Sequence, residues 1–284
     1  MKHSVAKSST SPTGEPPRVL VRLQKFLAAA GIGSRRHCEE YILSRRVSVD
    51  GEEIRDLGTR VDPRRQTVRL DGQIIKSQPK RYYLLNKPVG YLCTNRDPAG
   101  RPQAIDLLGQ DGPRLFTVGR LDENSQGLLL VTNDGELANR LAHPRYRVQR
   151  KYRVQVVGKP TRQTLDTMQR GVYFSEGKFR VKHIKRIRSQ RNSTFLEIIL
   201  SEGQNREIRR VLARLGHKVI SLQRIGFGTL KLGRLGEGEF RPLKPTELKE
   251  LRDMVRQSAE GGKQKAESRR RKVRGRKRKT EGRV

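Results

Sequence analysis

Cysteine is nearly missing from this 284-residue chain: Cys38 and Cys93 are its only thiols. They stand far apart and match no zinc-ligand spacing, and two thiols without a framework suit a reducing compartment. Long apolar runs are also missing. No segment approaches the roughly 20 residues needed to span a bilayer. The opening MKHSVAKSSTSPTGEPP lacks the apolar stretch of a secretory signal. A soluble cytoplasmic protein is expected. Acid is scarce as well: 29 Asp and Glu stand against 63 Lys and Arg, a formal net charge of +34 and a pI near 11.2. No amphipathic stretch joins that charge to apolar anchors, so a membrane is not the expected partner. A polyanion remains, and nucleic acid is the first candidate. The charge is not confined to one end. From Lys263 onward there are twelve Lys or Arg and two Glu, a net of +10, which leaves +24 of the +34 on residues 1–262.

What is present organises into two folded segments. Residues 1–18 are rich in Ser, Pro and Gly, which predicts disorder. From Arg18 the pattern changes. Leu20, Leu23, Phe26 and Leu27 fall on one helical face, and Gly31 can end that helix. Ser34 can cap a second helix over 35–45, with Cys38, Tyr41 and Ile42 facing inward. VSVDGEEI and VRLDGQII follow, each with an Asp-Gly turn between alternating residues, the mark of short strands and tight turns. Residues 19–76 thus form a small module. Arg35, Arg36 and His37 stand near the positive N-terminus of its second helix, where phosphate binding is physically natural. A solvated basic face on a packing module explains the same residues equally well.

Residues 77–81 are the expected linker, and residues 82–256 the larger domain. YYLLNKPVGYLCT opens it as a strand broken at Lys87-Pro88. LFTVGR, GLLLVT, KYRVQVVG, KFRVKHIKRI and TFLEIILSEG read as strands; ELANRLAHP, TRQTLDTMQRG and NREIRRVLARLG read as helices. PTELKELRDMV is a last helix with Thr246 as its cap. The mix predicts an α+β fold, a mainly antiparallel mixed sheet flanked by helices. Residues 257–284 form a low-complexity basic tail, expected to be disordered when free and to attach to RNA phosphates without sequence preference.

One stretch carries a sharper question. In GRLDENSQGLLLVTNDG, Arg120-Leu121-Asp122 lies between two strand-like runs and leads into a polar turn. A strand end is where a rigid scaffold can hold a reactive group. Asp in a turn is common, however, and a cap or a pair with Arg120 is the plainer account on physics alone. Tyr152 alternates with Val154 and Val156 and reads as a core aromatic. In GQNREIRRVLARLG, Ile208, Val211, Leu212 and Leu215 form an apolar helical face with Gly216 as cap. No metal-ligand spacing and no phosphate-cradling Gly-rich loop occurs, so no metal and no cofactor is expected.

GRLDENSQGLLLVTNDGELANRLAHPRYRVQRKYRV resembles the signature of the rRNA pseudouridine synthases, in the branch named RsuA/RluB. NKPVGYLCTNRDPAGRPQAIDLL and SEGQNREIRRVLARLGHKVISLQRIGFGTL are similar to the same branch. Residues 20 to about 66 resemble the S4-like (αL) RNA-binding module that this branch carries in front. The resemblance runs from about Arg18 to Leu251, and DGELANRLAHP with the basic tail looks more like the large-subunit synthase B type. It implies an isomerase that detaches a uracil, rotates it and rejoins it through carbon-5. Asp122 would be the essential group, attacking the anomeric carbon or removing a neighbouring proton. Tyr152 would stack on the base and assist proton removal from carbon-5. Arg209 would pair with Asp122 and orient it, and Ile208 would pack beneath the base. Arg120 would fill the gap left by the flipped uridine. Arg206 and Arg210 would contact phosphates or lie on the surface, with Arg35 and Arg36 as further RNA contacts. Glu207 departs from the pattern, where glutamine is more usual.

The expected partner is therefore rRNA, a 23S stem-loop free or in a precursor particle, bound by a monomer. A small-subunit (16S) target, a non-catalytic ribosome-assembly factor and an electrostatic RNA chaperone are the rival readings. The third would show steep salt dependence without site preference.

Overall fold

The computed structural model describes residues 19–94, 97–109, 112–201 and 206–259, so the expected disorder of 1–18 and of most of the basic tail lies outside the described residues. The chain divides into two compact units between Gln78 and Pro79.

The first unit is built from short elements: β1 (Val21–Arg22), α1 (Leu23–Ala29), α2 (Arg35–Leu43), β2 (Val47–Val49), β3 (Glu52–Glu53), β4 (Arg60–Val61), β5 (Val68–Leu70) and β6 (Gln73–Ile74). Strands β3-β2-β5-β6 form one sheet and β1-β4 a second pair. Both Asp-Gly turns place two successive residues at positive φ, 52° and 94° at Asp50-Gly51 and 49° and 79° at Asp71-Gly72. That is the twist a two-residue hairpin needs, and Asp and Gly tolerate it best. Ser34 Oγ accepts from the His37 amide at 3.1 Å, capping α2. Leu23, Phe26, Leu27, Cys38, Ile42, Val47, Val61 and Val68 make the core. Leu20 does not join it. Val21 and Arg22 pair with Val61 and Arg60, so the chain is still extended there and α1 starts only at Leu23, leaving Leu20 51% exposed.

The second unit continues with β7 (Tyr82–Lys87), β8 (Phe116–Thr117), β9 (Gln126–Thr132), α3 (Gly135–Ala142), β10 (Arg150–Val157), α4 (Arg162–Arg170), β11 (Val172–Phe174), β12 (Gly177–Phe179), β13 (His183–Ser189), β14 (Ser193–Leu200), α5 (Glu207–Arg214), β15 (Val219–Phe227), β16 (Leu230–Lys231) and β17 (Phe240–Pro242). A further helix, α6, covers 245–259. Its first turn already holds Thr246, so Thr246 is not the cap. Instead the Glu247 carboxylate accepts from the Lys244 amide at 2.9 Å. The main sheet runs β13-β14-β10-β15-β9-β7-β17, with β8 on β9 and β16 on β15. Among the described strands the β15–β9 pairing is parallel and all others are antiparallel.

Burial explains the strand sequences. β9 is apolar at every step from Leu128 to Val131 because both its faces are covered. Leu128 and Leu130 pack with Leu137 and Leu141 of α3, while Leu129 and Val131 pack with Leu85 and Ala104 on the other side. β10 alternates instead, with Tyr152, Val154 and Val156 turned to Met168 of α4 and Ile208, Val211 and Leu212 of α5. KFRVKHIKRI is two strands, not one. Its start turns back on β11 as β12, and its end pairs with β14 as β13. Among the described residues no helix is long and apolar enough to cross a membrane.

Candidate active site

The chain between β8 and β9 carries Arg120, Leu121 and Asp122. Leu121 is buried and anchors the segment from below, while Arg120 is exposed. The Asp122 carbonyl accepts from the Ser125 amide at 3.0 Å, closing the polar turn and leaving the carboxylate about one-third exposed. Gly127 then enters β9 at φ 111°, where an added Cβ would meet the Arg224 carbonyl oxygen at 2.3 Å. Only glycine lets the parallel strand β15 come this close.

Around Asp122 lies a small open cavity of about 70 Å³, lined by Arg120, Leu121, Asp122, Ser125, Tyr152, Leu200, Arg206, Glu207, Ile208, Arg209 and Leu222. Asp122, Tyr152, Arg209, Arg120, Ile208 and Arg206, distant in sequence, thus meet at one place. Tyr152 is 7% exposed and belongs to the core cluster while lining the cavity, so the core reading and the site reading describe the same ring. Ile208 is buried beside it. Volume does not single out this site, since larger clefts of about 570 and 600 Å³ lie on the same unit. The convergence of side chains does.

The pairing around Asp122 differs from the expected one. Arg206 Nη1 lies 3.6 Å from Asp122 Oδ2, whereas Arg209 Nη2 donates to the Asn124 carbonyl at 2.6 Å and reaches Ser125 Oγ at 3.4 Å. The cause is the start of α5. Arg206 takes the left-handed conformation at φ 48° just before the helix, and Arg209 sits a turn further in, beneath the loop. Arg209 is nonetheless close enough for Asp122 to raise its proton affinity, against a larger lowering from burial and a further lowering from Arg206. Arg210 is not at the cavity. Both of its contacts with the Glu176 carboxylate are 2.9 Å, and its guanidinium stacks 4.7 Å from the Phe174 ring. Arg35 and Arg36 are exposed on the first turn of α2, in the other unit, and His37 is turned to Glu40 and Tyr41 at 2.9 and 3.0 Å.

Three residues that the sequence did not single out hold the turn in place. Lys87 is fully buried, and its Nζ donates to the carbonyls of Pro88 at 2.6 Å, Ser125 at 2.8 Å and Glu123 at 3.4 Å. Burial lowers the Lys87 pKa, and Cys93, Glu123 and Asp122 oppose that shift. Arg224, 1% exposed, donates through Nε to the Leu128 carbonyl at 2.6 Å and through Nη1 to the Arg120 carbonyl at 3.5 Å. Cys93 Sγ accepts from the Leu121 amide at 3.3 Å, and burial pushes its thiol pKa up. With Arg209, the cations take the carbonyls of residues 120, 123, 124, 125 and 128. The one available signal was a charged residue inside an apolar strand, at Lys87 and at Arg224. Among the described residues no group of three His, Cys, Asp or Glu could hold a metal ion.

On its relatives the chain belongs to the RNA pseudouridine synthases, which are RNA-modifying isomerases. Residues 81–214 match the RNA pseudouridylate synthase family and residues 21–67 match the S4 domain. More particularly, the chain is 44% identical over 232 residues to an Aquifex aeolicus protein named "Uncharacterized RNA pseudouridine synthase", covering 81% of this chain and 93% of that one. It is 36% identical over 236 residues to ribosomal large subunit pseudouridine synthase B of Bacillus subtilis, covering 82% and 96%. To the Pasteurella multocida protein of that name it is 40% identical over 261 residues, covering 89% and 75%. A crystal structure of pseudouridylate synthase aligns with a TM-score of 0.57 at 27% identity, over 81% of this chain and 99% of that one.

Proposed function

We propose that this enzyme converts a specific uridine of rRNA to pseudouridine, most directly in the large-subunit (23S) rRNA that its relatives' names point to, and that Asp122 is its catalytic group. The observation that carries this is the meeting of Asp122, Tyr152, Ile208 and Arg209 at one cavity. The reaction is an isomerisation. The bond between the ribose anomeric carbon and uracil N1 breaks, a bond from that carbon to C5 forms, and the C5 proton leaves while N1 is protonated. Atoms and electrons balance without an added group or a redox partner.

The roles follow from position. A target base must leave its stack before a pocket reaches it. Arg120, exposed at the rim, is placed to occupy the gap, and its backbone is tied down by Arg224. The flipped uracil lies against the Tyr152 ring with Ile208 beneath it. Asp122 then meets the sugar, where positive charge develops, as nucleophile or as base. Tyr152, lining the same cavity, assists loss of the C5 proton. Arg206, at ion-pair distance from Asp122, and Arg209, through the turn, orient the carboxylate. The S4 unit, with Arg35 and Arg36 exposed on α2, and the basic tail over 257–284 supply sequence-independent affinity. The enzyme acts as a cytoplasmic monomer.

Tritium release from rRNA transcripts labelled at uridine C5 tests this. Release from the large-subunit transcript, abolished in Asp122→Asn with RNA binding kept, is the expected result. Release from the small-subunit transcript alone would move the target to 16S rRNA. Tight binding without release from either would leave an RNA-binding assembly factor.

A further inference from the structure

A second cleft opens beside the Asp122 cavity. It measures about 600 Å³ and is lined in part by Arg147, Gln149, Gln169, Lys178, Arg180 and Lys182. The two cavities adjoin. Glu207 lines both, and Leu200 lines one while the next residue, Ser201, lines the other. Sequence alternation places the cations. In Lys178-Phe179-Arg180-Val181-Lys182, Phe179 and Val181 are buried in the core and the three basic residues are exposed. Lys178 lies on β12, and Arg180 and Lys182 lie in the short connection to β13, so one brief stretch of chain brings all three cations to the cleft. Arg147 adds a fourth. Among the described residues none of the four makes a salt bridge, in contrast to Arg210 on Glu176 and Lys151 on Glu197. Gln149 and Gln169 offer amides that can reach sugar hydroxyls or base edges.

We propose that this cleft is an RNA-backbone subsite: it holds the phosphodiesters next to the target uridine while that uridine occupies the Asp122 cavity. The proposal rests on the pseudouridine synthase reading for which nucleotide enters the cavity, but its binding chemistry is independent of turnover. Phosphate contacts set register without reading sequence. The cations gathered at the cleft therefore fix where the enzyme grips the backbone, and so which nucleotide is presented to Asp122.

The test uses the full-length chain and two triple variants that remove the same charge. One is Lys178→Gln with Arg180→Gln and Lys182→Gln. The control is Lys159→Gln with Lys218→Gln and Lys249→Gln, all exposed and none lining the cleft. Binding of a short oligouridine single strand is titrated against salt, and tritium release from large-subunit rRNA transcript is measured in parallel. The cleft triple is expected to raise Kd at least about tenfold and to flatten the salt slope by about 2, close to 0.7 for each of the three cations removed. Its KM is expected to rise in step, with the control triple close to wild type. Equal shifts in the two triples would show that only net charge matters and would overturn the subsite, as would an unchanged slope in the cleft triple. If wild type released no tritium from any transcript while the cleft triple alone lost binding, the enzymatic reading would fail and the groove would stand.

Discussion

The cations on α2 of the first unit and those beneath the Asp122 turn of the second do opposite work. Arg35 and Arg36 of the first unit face solvent on one turn of α2, free to approach a phosphate. Lys87 and Arg224 of the second are sealed inside and donate to main-chain carbonyls. A buried, unpaired charge costs several kcal/mol, so such a cation persists only where strong acceptors surround it. The carbonyls of residues 120–128 are those acceptors. In return, the turn that bears Asp122 is held from beneath by groups that cannot move without losing their partners. A net charge counts all these residues alike. Burial separates the cations that build the site from those available to RNA.

This contrast can be broken by substitution. The largest effect belongs to the group the buried cations support. Asp122→Asn should lower turnover by at least 10²- to 10⁴-fold, with the Kd for RNA within a few-fold of wild type. Parallel loss of binding would show that Asp122 serves the fold or the RNA instead. Next comes Lys87→Met, which keeps the stem and removes the donor. Three carbonyls lose their partner, and unfolding in urea should show a loss of about 2 kcal/mol or more. Turnover should fall while oligonucleotide affinity changes little. An unchanged midpoint would mean that water replaces the lysine at no cost.

Arg35→Gln combined with Arg36→Gln should do the reverse. Stability should stay within about 0.5 kcal/mol, while the salt slope of RNA binding flattens by about 0.7 for each phosphate no longer neutralised. An unaltered slope would assign this face to solvent. The smallest effect concerns Arg210, whose hydrogen bond to Glu176 holds that carboxyl at about 2, below the ordinary 4.5. A depressed carboxyl pKa stabilises the fold above the unfolded value, and that contribution is lost as pH falls from about 4.5 towards 2. The pair is exposed, so Glu176→Gln should flatten the acid limb of the stability curve only slightly. A steep residual acid limb would place the acid sensitivity in other carboxylates.

Much of the frame was legible in residue order. The two Asp-Gly hairpins, the alternation of β10 and β14 and the apolar face of α5 each depend on neighbours a few positions away. Local pattern accounts for them. Asp122, Tyr152 and Ile208 became candidates only through their resemblance to a known signature, because by pattern alone each is an ordinary turn or core residue. Arg206 and Arg209 both reach the site, but Arg206 rather than Arg209 lies at ion-pair distance from Asp122, and Arg209 holds the Asn124 carbonyl. A left-handed residue at the mouth of α5 decides which guanidinium points at the carboxylate, and Arg is not a residue type that announces that conformation.

The sequence by itself determined that this is a basic, two-part, polyanion-directed chain with its strands and helices in a given order. Those properties are sums over composition or patterns over a few residues, and no long-range packing alters them. The tertiary structure alone decided that Lys87, Cys93, Arg209 and Arg224 converge under one turn. They lie on β7, on the chain after it, on α5 and on β15, and they meet because β7 and β15 flank β9 in the sheet. Which carbonyl a buried cation receives depends on strand adjacency and register, and chain order does not encode that locally.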